Sequence, residues 1–327
     1  MKKLLLALLL IFILTNISFA EVKKEYYLNG KLQSISNYIK GKKEGVSKVY
    51  YENGKLKMEV NFINGNLVGK CKIYYKNGKL QEEVNFDNNK LDGVSKVYYE
   101  SGQLQQETNY IDDKLEGVGK KYYATGQLEE EVNFVNNKLE GSSKSYYKTG
   151  QIKNDFNYIA DMLNGICKIY YANGQLSSEI NLVEGKPEGA FKAYYEGGQL
   201  KEESIFIDGK KDGLSKLYYE NGQLQLDGNF VRDKLDGICK SYYENGQLKE
   251  SSNFSNDTLD GLSKVYYEND KLQEESNYIA GKLNGTWKTY YQSGQLKQTA
   301  NYLNDKLDGE CKSYDENGKL QEEDRYI

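Results

Sequence analysis

Hydrophobic and polar residues alternate along this chain in short segments that recur every 24 residues. In the repeat that begins at Gly45, the valine- and tyrosine-rich segment Val46–Tyr51 predicts one β-strand. Asn53-Gly54 predicts a hairpin turn, and the alternating segment Lys55–Ile63 predicts a second strand. Residues 64–69 link this hairpin to the next. The pattern therefore predicts one antiparallel hairpin per repeat.

The repeat keeps one register to the end of the chain. The pair Tyr26-Tyr27 returns, without insertion or deletion, as far as Tyr290-Tyr291, and a thirteenth copy, Tyr314-Asp315, has lost one tyrosine. A fixed period of this length is typical of stacked repeats in which each unit contacts only its neighbours. We predict an all-β fold: an elongated, single-layer antiparallel sheet or solenoid of about 13 hairpins and about 26 strands, twisted or coiled. The array spans residues 21–327.

The turn residues decide which side chains share a face of the sheet. Thr125 and Thr149 stand at the position of Asn53, and a β-branched residue rarely adopts positive φ, which disfavours a two-residue turn. We predict instead a three-residue loop with Gly54 in the left-handed region. Asp270 replaces this glycine once, and aspartate tolerates that conformation.

This loop predicts that Lys48 faces position 58 and that Val46 faces Val60. The inner face then carries Val46, Lys48, Tyr50, Leu56, Val60 and Phe62, and the outer face carries Ser47, Tyr51, Lys55, Lys57, Glu59 and Asn61. Ion pairs are predicted between Lys72 and Glu82, Lys120 and Glu130, and Lys264 and Glu274. A two-residue turn would slip the second strand by one residue and swap its faces.

A column of leucines in the links is predicted to fold over the edge of the inner face, beside the column of Phe62. Its members are Leu67, Leu91, Leu115, Leu139, Leu163, Leu235, Leu259, Leu283 and Leu307. Pro187 and Lys211 interrupt the column, so we expect a local bend or a loosened link near residues 181–211.

The segment Met1–Ala20 has the features of a secretory signal peptide. Lys2 and Lys3 precede the apolar core Leu4–Leu14, and small residues occupy the cleavage site near Ala20-Glu21. An uncleaved anchor is the alternative, but the apolar stretch is shorter than the roughly 20 residues of a spanning helix. We therefore expect an exported protein, in the periplasm, at the cell surface or secreted, with no integral membrane segment in the mature chain.

Composition excludes several classes of site. The chain has no histidine, which excludes histidine-based triads and histidine metal ligands. Its formal net charge is −4 and its basic residues are spread over the repeats, so we expect no nucleic-acid partner. No nucleophile and base stand together in the pattern. We predict no catalytic residue, no cofactor and no enzyme activity.

The four cysteines all occupy one position of the repeat, which elsewhere is most often serine. They are Cys71, Cys167, Cys239 and Cys311. Two strands per repeat place neighbouring cysteines roughly 29–38 Å apart along a sheet, and a disulfide needs Cα atoms within about 7 Å. We therefore predict no intrachain disulfide and no shared metal site.

Tyrosine columns are the candidate binding surface, because aromatic rings can stack on sugars or contact a partner's surface. The predicted ladder is Tyr51, Tyr75, Tyr99, Tyr123, Tyr147, Tyr171, Tyr195, Tyr219, Tyr243, Tyr267 and Tyr291. The alternative is that these rings only cover the sheet. Link carboxylates such as Asp92 and Glu116 could likewise bind cations weakly or simply be solvated turn residues.

The segment Tyr74-Tyr75-Lys76-Asn77-Gly78-Lys79-Leu80, followed by Asn85-Phe86 and Lys90-Leu91-Asp92-Gly93, resembles the bacterial MORN-repeat variant family. The resemblance covers residues 22–327. It implies an extended antiparallel sheet that serves as an interaction scaffold, in a family whose members are often assigned as antitoxins of toxin–antitoxin systems.

Three functions are open at this point. The first is an exported, non-enzymatic scaffold that binds a protein or an envelope component, with a homodimer through the inner face as a candidate assembly. The second is an antitoxin or immunity protein. The third is a cell-wall carbohydrate-binding module, which the single tryptophan, Trp287, disfavours because such modules are rich in tryptophan.

Overall fold

The computed structural model of the protein describes residues 20–327. The predicted leader, apart from Ala20, lies outside the described residues. The described chain is all-β and consists of antiparallel strands and turns, as predicted. It contains no helix long and apolar enough to cross a membrane. It divides into two compact units between Gly150 and Gln151.

The strands of the first unit are β1 (Ala20–Tyr26), β2 (Leu32–Ile39), β3 (Lys42–Lys43), β4 (Gly45–Tyr50), β5 (Leu56–Ile63), β6 (Asn66–Leu67), β7 (Gly69–Tyr74), β8 (Leu80–Asp87), β9 (Lys90–Leu91), β10 (Gly93–Tyr98), β11 (Leu104–Ile111), β12 (Lys114–Leu115), β13 (Gly117–Tyr122), β14 (Leu128–Val135), β15 (Lys138–Leu139) and β16 (Gly141–Tyr146).

The strands of the second unit are β17 (Ile152–Ile159), β18 (Met162–Leu163), β19 (Gly165–Tyr170), β20 (Leu176–Val183), β21 (Lys186–Tyr194), β22 (Leu200–Ile207), β23 (Lys210–Tyr218), β24 (Leu224–Val231), β25 (Lys234–Leu235), β26 (Gly237–Tyr242), β27 (Leu248–Ser255), β28 (Thr258–Tyr266), β29 (Leu272–Ile279), β30 (Lys282–Leu283), β31 (Gly285–Tyr290), β32 (Leu296–Leu303), β33 (Lys306–Tyr314) and β34 (Leu320–Tyr326).

The predicted hairpin accounts for the two long strands of each repeat, and the links supply the additional strands. In the link after β5, Phe62 pairs with Leu67 and Ile63 pairs with Asn66, so β6 is a strand of two residues. In β21, β23, β28 and β33 the link residues and the following strand are continuous. The described residues therefore form 34 strands rather than about 26.

The predicted three-residue loop is confirmed. The backbone N–H of Tyr51 donates to the carbonyl of Lys55 at 2.8 Å, and the N–H of Gly54 donates to the carbonyl of Tyr51 at 2.8 Å. Gly54 has φ of 83°. Asp270, which stands at the same position, has φ of 64°, in the left-handed region that aspartate tolerates.

A second bulge, which the sequence did not indicate, follows the loop. Tyr50 pairs with Leu56 but Val49 pairs with Met58, which leaves Lys57 without a partner residue. The same shift recurs in hairpins of both units. A bulge places two residues of one strand opposite one residue of the other.

The predicted pairing beyond this bulge is therefore wrong by one residue. Lys48 pairs with Glu59 rather than with position 58, and Val46 pairs with Asn61 rather than with Val60. Because successive side chains point to opposite faces, one inserted residue reverses the faces of the first strand relative to the second.

We name the two faces by the columns that they carry. The packed face carries the columns of Ser47, Val49, Met58, Val60 and Phe62. The ion-pair face carries the columns of Val46, Lys48, Tyr50, Glu59, Asn61 and Ile63. Ser47 is 4% exposed and Val60 is 6% exposed, whereas Val46 is 46% exposed. The predicted inner face was thus right for Val60 and Phe62 and wrong for Val46, Lys48 and Tyr50.

The packed face holds the apolar core of each unit. In the first unit the buried residues Val60, Cys71 and Val84 form a cluster against which Phe62 and Leu67 pack. In the second unit the rings of Phe191 and Phe206 meet edge to face at 6.1 Å. The predicted position of the link leucines beside the Phe62 column is confirmed.

The predicted bend or loosened link near residues 181–211 is not seen in the strand pairing. Pro187 pairs with Leu182, and Lys211 pairs with Phe206. The Lys211 ammonium lies 2.7 Å from the carboxylate of Glu202. The stem of this lysine can therefore take the place of the leucine while its charge is neutralised.

Candidate functional site

The predicted tyrosine ladder has its hydroxyl groups engaged within the repeat array. The Tyr51 hydroxyl donates to the carbonyl of Tyr74 in the next repeat at 2.6 Å, and the Tyr219 hydroxyl donates to the carbonyl of Tyr242 at 2.8 Å. The same bond is made by Tyr75, Tyr99, Tyr123, Tyr171, Tyr195, Tyr243, Tyr267 and Tyr291. At Tyr147 the backbone carbonyl accepts the turn hydrogen bond from the N–H of Gly150 at 2.8 Å. The hydroxyls that make the bond to the next repeat are thus structural, and binding by the half-buried rings stays a prediction.

Bulged lysines cover several of these rings. The Lys57 ammonium lies 5.8 Å from the ring centre of Tyr51, and the Lys201 ammonium lies 5.5 Å from that of Tyr195. An ammonium at this distance is attracted to the face of the ring. The residue that shifts the register therefore also shields part of the predicted ladder.

The link carboxylates accept backbone hydrogen bonds from the next link. Glu116 accepts from the N–H of Asn136 at 2.9 Å, and Asp236 accepts from the N–H of Asn256 at 3.3 Å. The Asn229 amide donates to the carbonyl of Asp236 at 3.1 Å. These acids therefore hold successive links together. Among residues 20–327, no three Cys, Asp or Glu side chains are grouped closely enough to hold a metal ion.

The four cysteines lie in the Ser47 column, on the packed face. Their thiols are free, and Cys71 and Cys167 are buried. Burial raises the pKa of the Cys71, Cys167 and Cys239 thiols above its ordinary value. Buried thiols with raised pKa are poor nucleophiles, so these side chains act as small packing groups.

Charged residues form a ladder on the ion-pair face. Lys48 lies 3.1 Å from Glu59, and Lys96 lies 3.0 Å from Glu107. The predicted partners were wrong by one residue, since the observed pairs are Lys72 with Glu83, Lys120 with Glu131 and Lys264 with Glu275. A hydrogen bond to Glu107 raises the pKa of the Lys96 ammonium. Exposed pairs of this kind add little stability, so the ladder mainly sets the charge pattern of the surface.

Two exposed aliphatic columns lie beside this ladder, both on the side nearer the links, and sequence reasoning missed them as a surface. The first column contains Val46, Val94, Val118, Ile166, Leu214, Ile238 and Leu262, which are 46–62% exposed. The second contains Ile63, Ile111, Val135, Ile159, Val183, Ile207, Val231, Ile279 and Leu303, which are 40–53% exposed. Aliphatic side chains in register along one face are typical of an interaction surface.

One sequence signal could have revealed these columns. The Ser47 position holds small residues in most repeats and cysteine in four of them. Free cysteine is among the most often buried residue types. A column of serine and cysteine therefore indicates a tightly packed face, which in turn places the neighbouring Val46 column on the opposite, exposed face.

Comparison with known families gives the same repeat. The MORN repeat variant model matches residues 22–40, 43–64, 67–88, 91–112, 115–136, 139–160, 163–183, 187–208, 211–232, 235–256, 259–280, 283–304 and 307–327. The chain belongs to the MORN repeat variant family. MORN repeats generally form non-catalytic scaffolds for protein or membrane binding.

Comparisons beyond the MORN family add little. No curated protein matches the chain. Among solved structures, a TcdB2-TccC3-Cdc42 complex is 12% identical over 94% of this chain and 20% of its own, with a TM-score of 0.18. A porin-like protein from Bacteroides uniformis is 8% identical over 78% of this chain and 92% of its own, with a TM-score of 0.17. The chain spans about a fifth of the length of the first of these structures. Both TM-scores are too low to indicate a shared fold.

Proposed function

We propose that this MORN-repeat protein is an exported, non-enzymatic scaffold that binds a protein or an envelope component through the ion-pair face of its sheet. The observation that carries the proposal is the pair of exposed aliphatic columns, which recur with the repeat beside a ladder of charges. Many equivalent weak contacts along such a surface give avidity that no single contact provides. The tyrosine ladder is a secondary candidate because its hydroxyls are engaged.

Export is supported by the sequence of the leader, Met1–Ala20. We would fractionate producing cells, treat intact cells with protease and identify the N-terminal peptide by mass spectrometry. A mature chain that begins at Glu21 and is cleaved on intact cells is the expected result. An unprocessed chain in the cytoplasm would contradict export and favour the antitoxin alternative.

Binding through the ion-pair face can be tested with a matched pair of variants. Cross-linking on whole cells would capture the partner, and capture would then be compared for two triple variants. The first, Ile166→Lys, Ile238→Lys and Leu262→Lys, places charge in the first aliphatic column, where Lys70 stands naturally. The second, Ala124→Lys, Ala172→Lys and Gln292→Lys, adds the same charge at hairpin turns, where Lys76 stands naturally.

We expect the column variant to lose most of the captured partner and the turn variant to keep it, because only the first loses apolar contact area. Equal capture by both variants would contradict binding through this face. Retention on purified cell wall with release by free sugar would favour the carbohydrate-binding alternative.

A further inference from the structure

The ion-pair face carries an equivalent groove at two places, five repeats apart in the sequence. In the first unit a groove of about 360 Å³ is lined by Lys70, Asn85 and Val94. In the second unit the residues at the same repeat positions are Ala190, Ile205 and Leu214, and they line a groove of about 200 Å³. One chain thus provides two versions of one site.

The groove of the first unit is occupied by its own charges. The Lys70 ammonium lies 2.9 Å from the carboxylate of Glu83, and Lys72 lies 3.7 Å from it. Hydrogen bonding to Lys70 lowers the pKa of Glu83. The polar side chains of Lys70 and Asn85 therefore stand here where the second unit has the apolar Ala190 and Ile205.

The groove of the second unit is apolar because isoleucine, Ile205, stands where the Asn61 column has asparagine. Every other second strand has Asn at the position of Ile205, except the last, which has Arg325. Ile205 is 39% exposed and Leu214 is 57% exposed. Ile205 also lies against Gly213, where an added Cβ would come within 3.4 Å of its Cβ. Ile205 therefore lines one apolar groove together with Ala190 and Leu214, at a position where most other repeats have asparagine.

The rim of this groove carries an ammonium group without an ionic partner. Glu203, which pairs with Lys192 across the hairpin, accepts a hydrogen bond from the Tyr218 hydroxyl at 2.8 Å and lies 3.7 Å from Lys216. Glu179, on the other side, lies 3.9 Å from Lys168. Among the described residues, Lys192 has no carboxylate within 4.0 Å. Its charge is available to a ligand.

We propose that this groove binds an extended acidic segment of a protein partner, in which an aliphatic side chain stands next to a carboxylate. The aliphatic group packs on Ile205 and Leu214, and the carboxylate pairs with Lys192. Apolar contact supplies most of the affinity and the charge selects the partner. The proposal rests on the proposed binding function and names a site for it.

The first test uses the full mature chain with labelled isoleucine, leucine and valine methyl groups. The probe is a blocked tetrapeptide, glycine-leucine-aspartate-glycine, added to millimolar concentration. We expect NMR shifts at the methyls of Ile205 and Leu214 and none at Val94, the equivalent of Leu214 in the first unit. No shifts at Ile205 and Leu214, or equal shifts at Val94 and Ile238, would overturn the proposal. A peptide with lysine for aspartate should bind more weakly.

The second test uses Ile205→Asn, which restores the residue of the other repeats and should leave the melting temperature unchanged. We expect peptide binding about tenfold weaker, since an aliphatic contact is lost. Lys192→Gln should weaken binding roughly twofold to fivefold. Leu28→Asn, which removes an exposed leucine at a hairpin turn outside both aliphatic columns, is the matched control and should bind normally.

The same variants separate this proposal from the proposed function. A wild-type chain that captures no partner on cells contradicts the binding function itself. An Ile205→Asn chain that captures its partner as well as the wild type contradicts only the groove.

Discussion

Tyr218 shows how one side chain redirects the charges around it. Its hydroxyl donates to Glu203 at 2.8 Å, and burial together with this carboxylate raises the pKa of Tyr218 to about 12. The carboxylate that would otherwise neutralise Lys192 is thereby directed toward Tyr218 and Lys216. A hydrogen bond within the array therefore decides which lysine of the ladder is free to meet a partner.

Tyr218 should make stability depend on pH at the alkaline end. Because its pKa is raised above the ordinary value of 10.0, its contribution is complete below pH 10.0 and is lost as the pH rises through about 12. Glu203→Gln should lower the pKa of Tyr218 by removing the facing charge. The tyrosinate absorbance of each protein, with Tyr218→Phe as the reference, measures this shift. An unchanged midpoint in Glu203→Gln would contradict the role of the carboxylate.

The hairpin is the element that decides which side chains lie on each face of the sheet. Its loop is the one that the turn residues predict, and a second bulge at Lys57 then exchanges the faces of the first strand. Within each unit, a tyrosine hydroxyl bonded to a strand-end carbonyl joins one hairpin to the next. Without the bulge, the Val46 column would lie on the packed face, and the protein would lack its exposed aliphatic columns.

Removing one tyrosine hydroxyl should loosen one junction between hairpins. Tyr219→Phe deletes the bond to the carbonyl of Tyr242, and we expect a loss of roughly 0.5–1.5 kcal/mol in the free energy of unfolding. Urea unfolding of this variant and of the wild type measures the change. Partner capture should be unaffected, because the ring is retained. A normal stability in Tyr219→Phe would show that the bond contributes nothing.

At the scale of the whole molecule, each unit is built from strands that pair with neighbours in the chain. Stability in such an array is close to a sum of repeat and junction contributions. The links are joined in the same way from repeat to repeat by asparagine and acidic side chains. One repeat should therefore be removable without loss of the rest.

Deletion of residues 237–260 removes one complete period of 24 residues from the second unit. The new junction, Asp236 to Gly261, has the same Asp-Gly sequence as the junction Asp260-Gly261 of the intact chain. We expect a folded protein with an unchanged β-sheet spectrum per residue and a urea m-value reduced with the surface lost. Deletion of residues 238–260, one residue shorter, would put the packed column out of register and should unfold the neighbouring hairpins. Equal behaviour of the two deletions would contradict a fixed register.

The sequence by itself determined the repeat, the antiparallel hairpins, the loop at Gly54 and the link leucines beside the Phe62 column. These features depend on local turn chemistry and on a period that is visible in one chain. The tertiary structure alone decided the bulge at Lys57. That bulge depends on pairing between strands, and alternation within a strand is the same whether or not a residue is inserted opposite it. The structure also decided that Lys192 is unpaired and that Ile205 opens an apolar groove, because both follow from where Glu203 and the neighbouring strands lie in space.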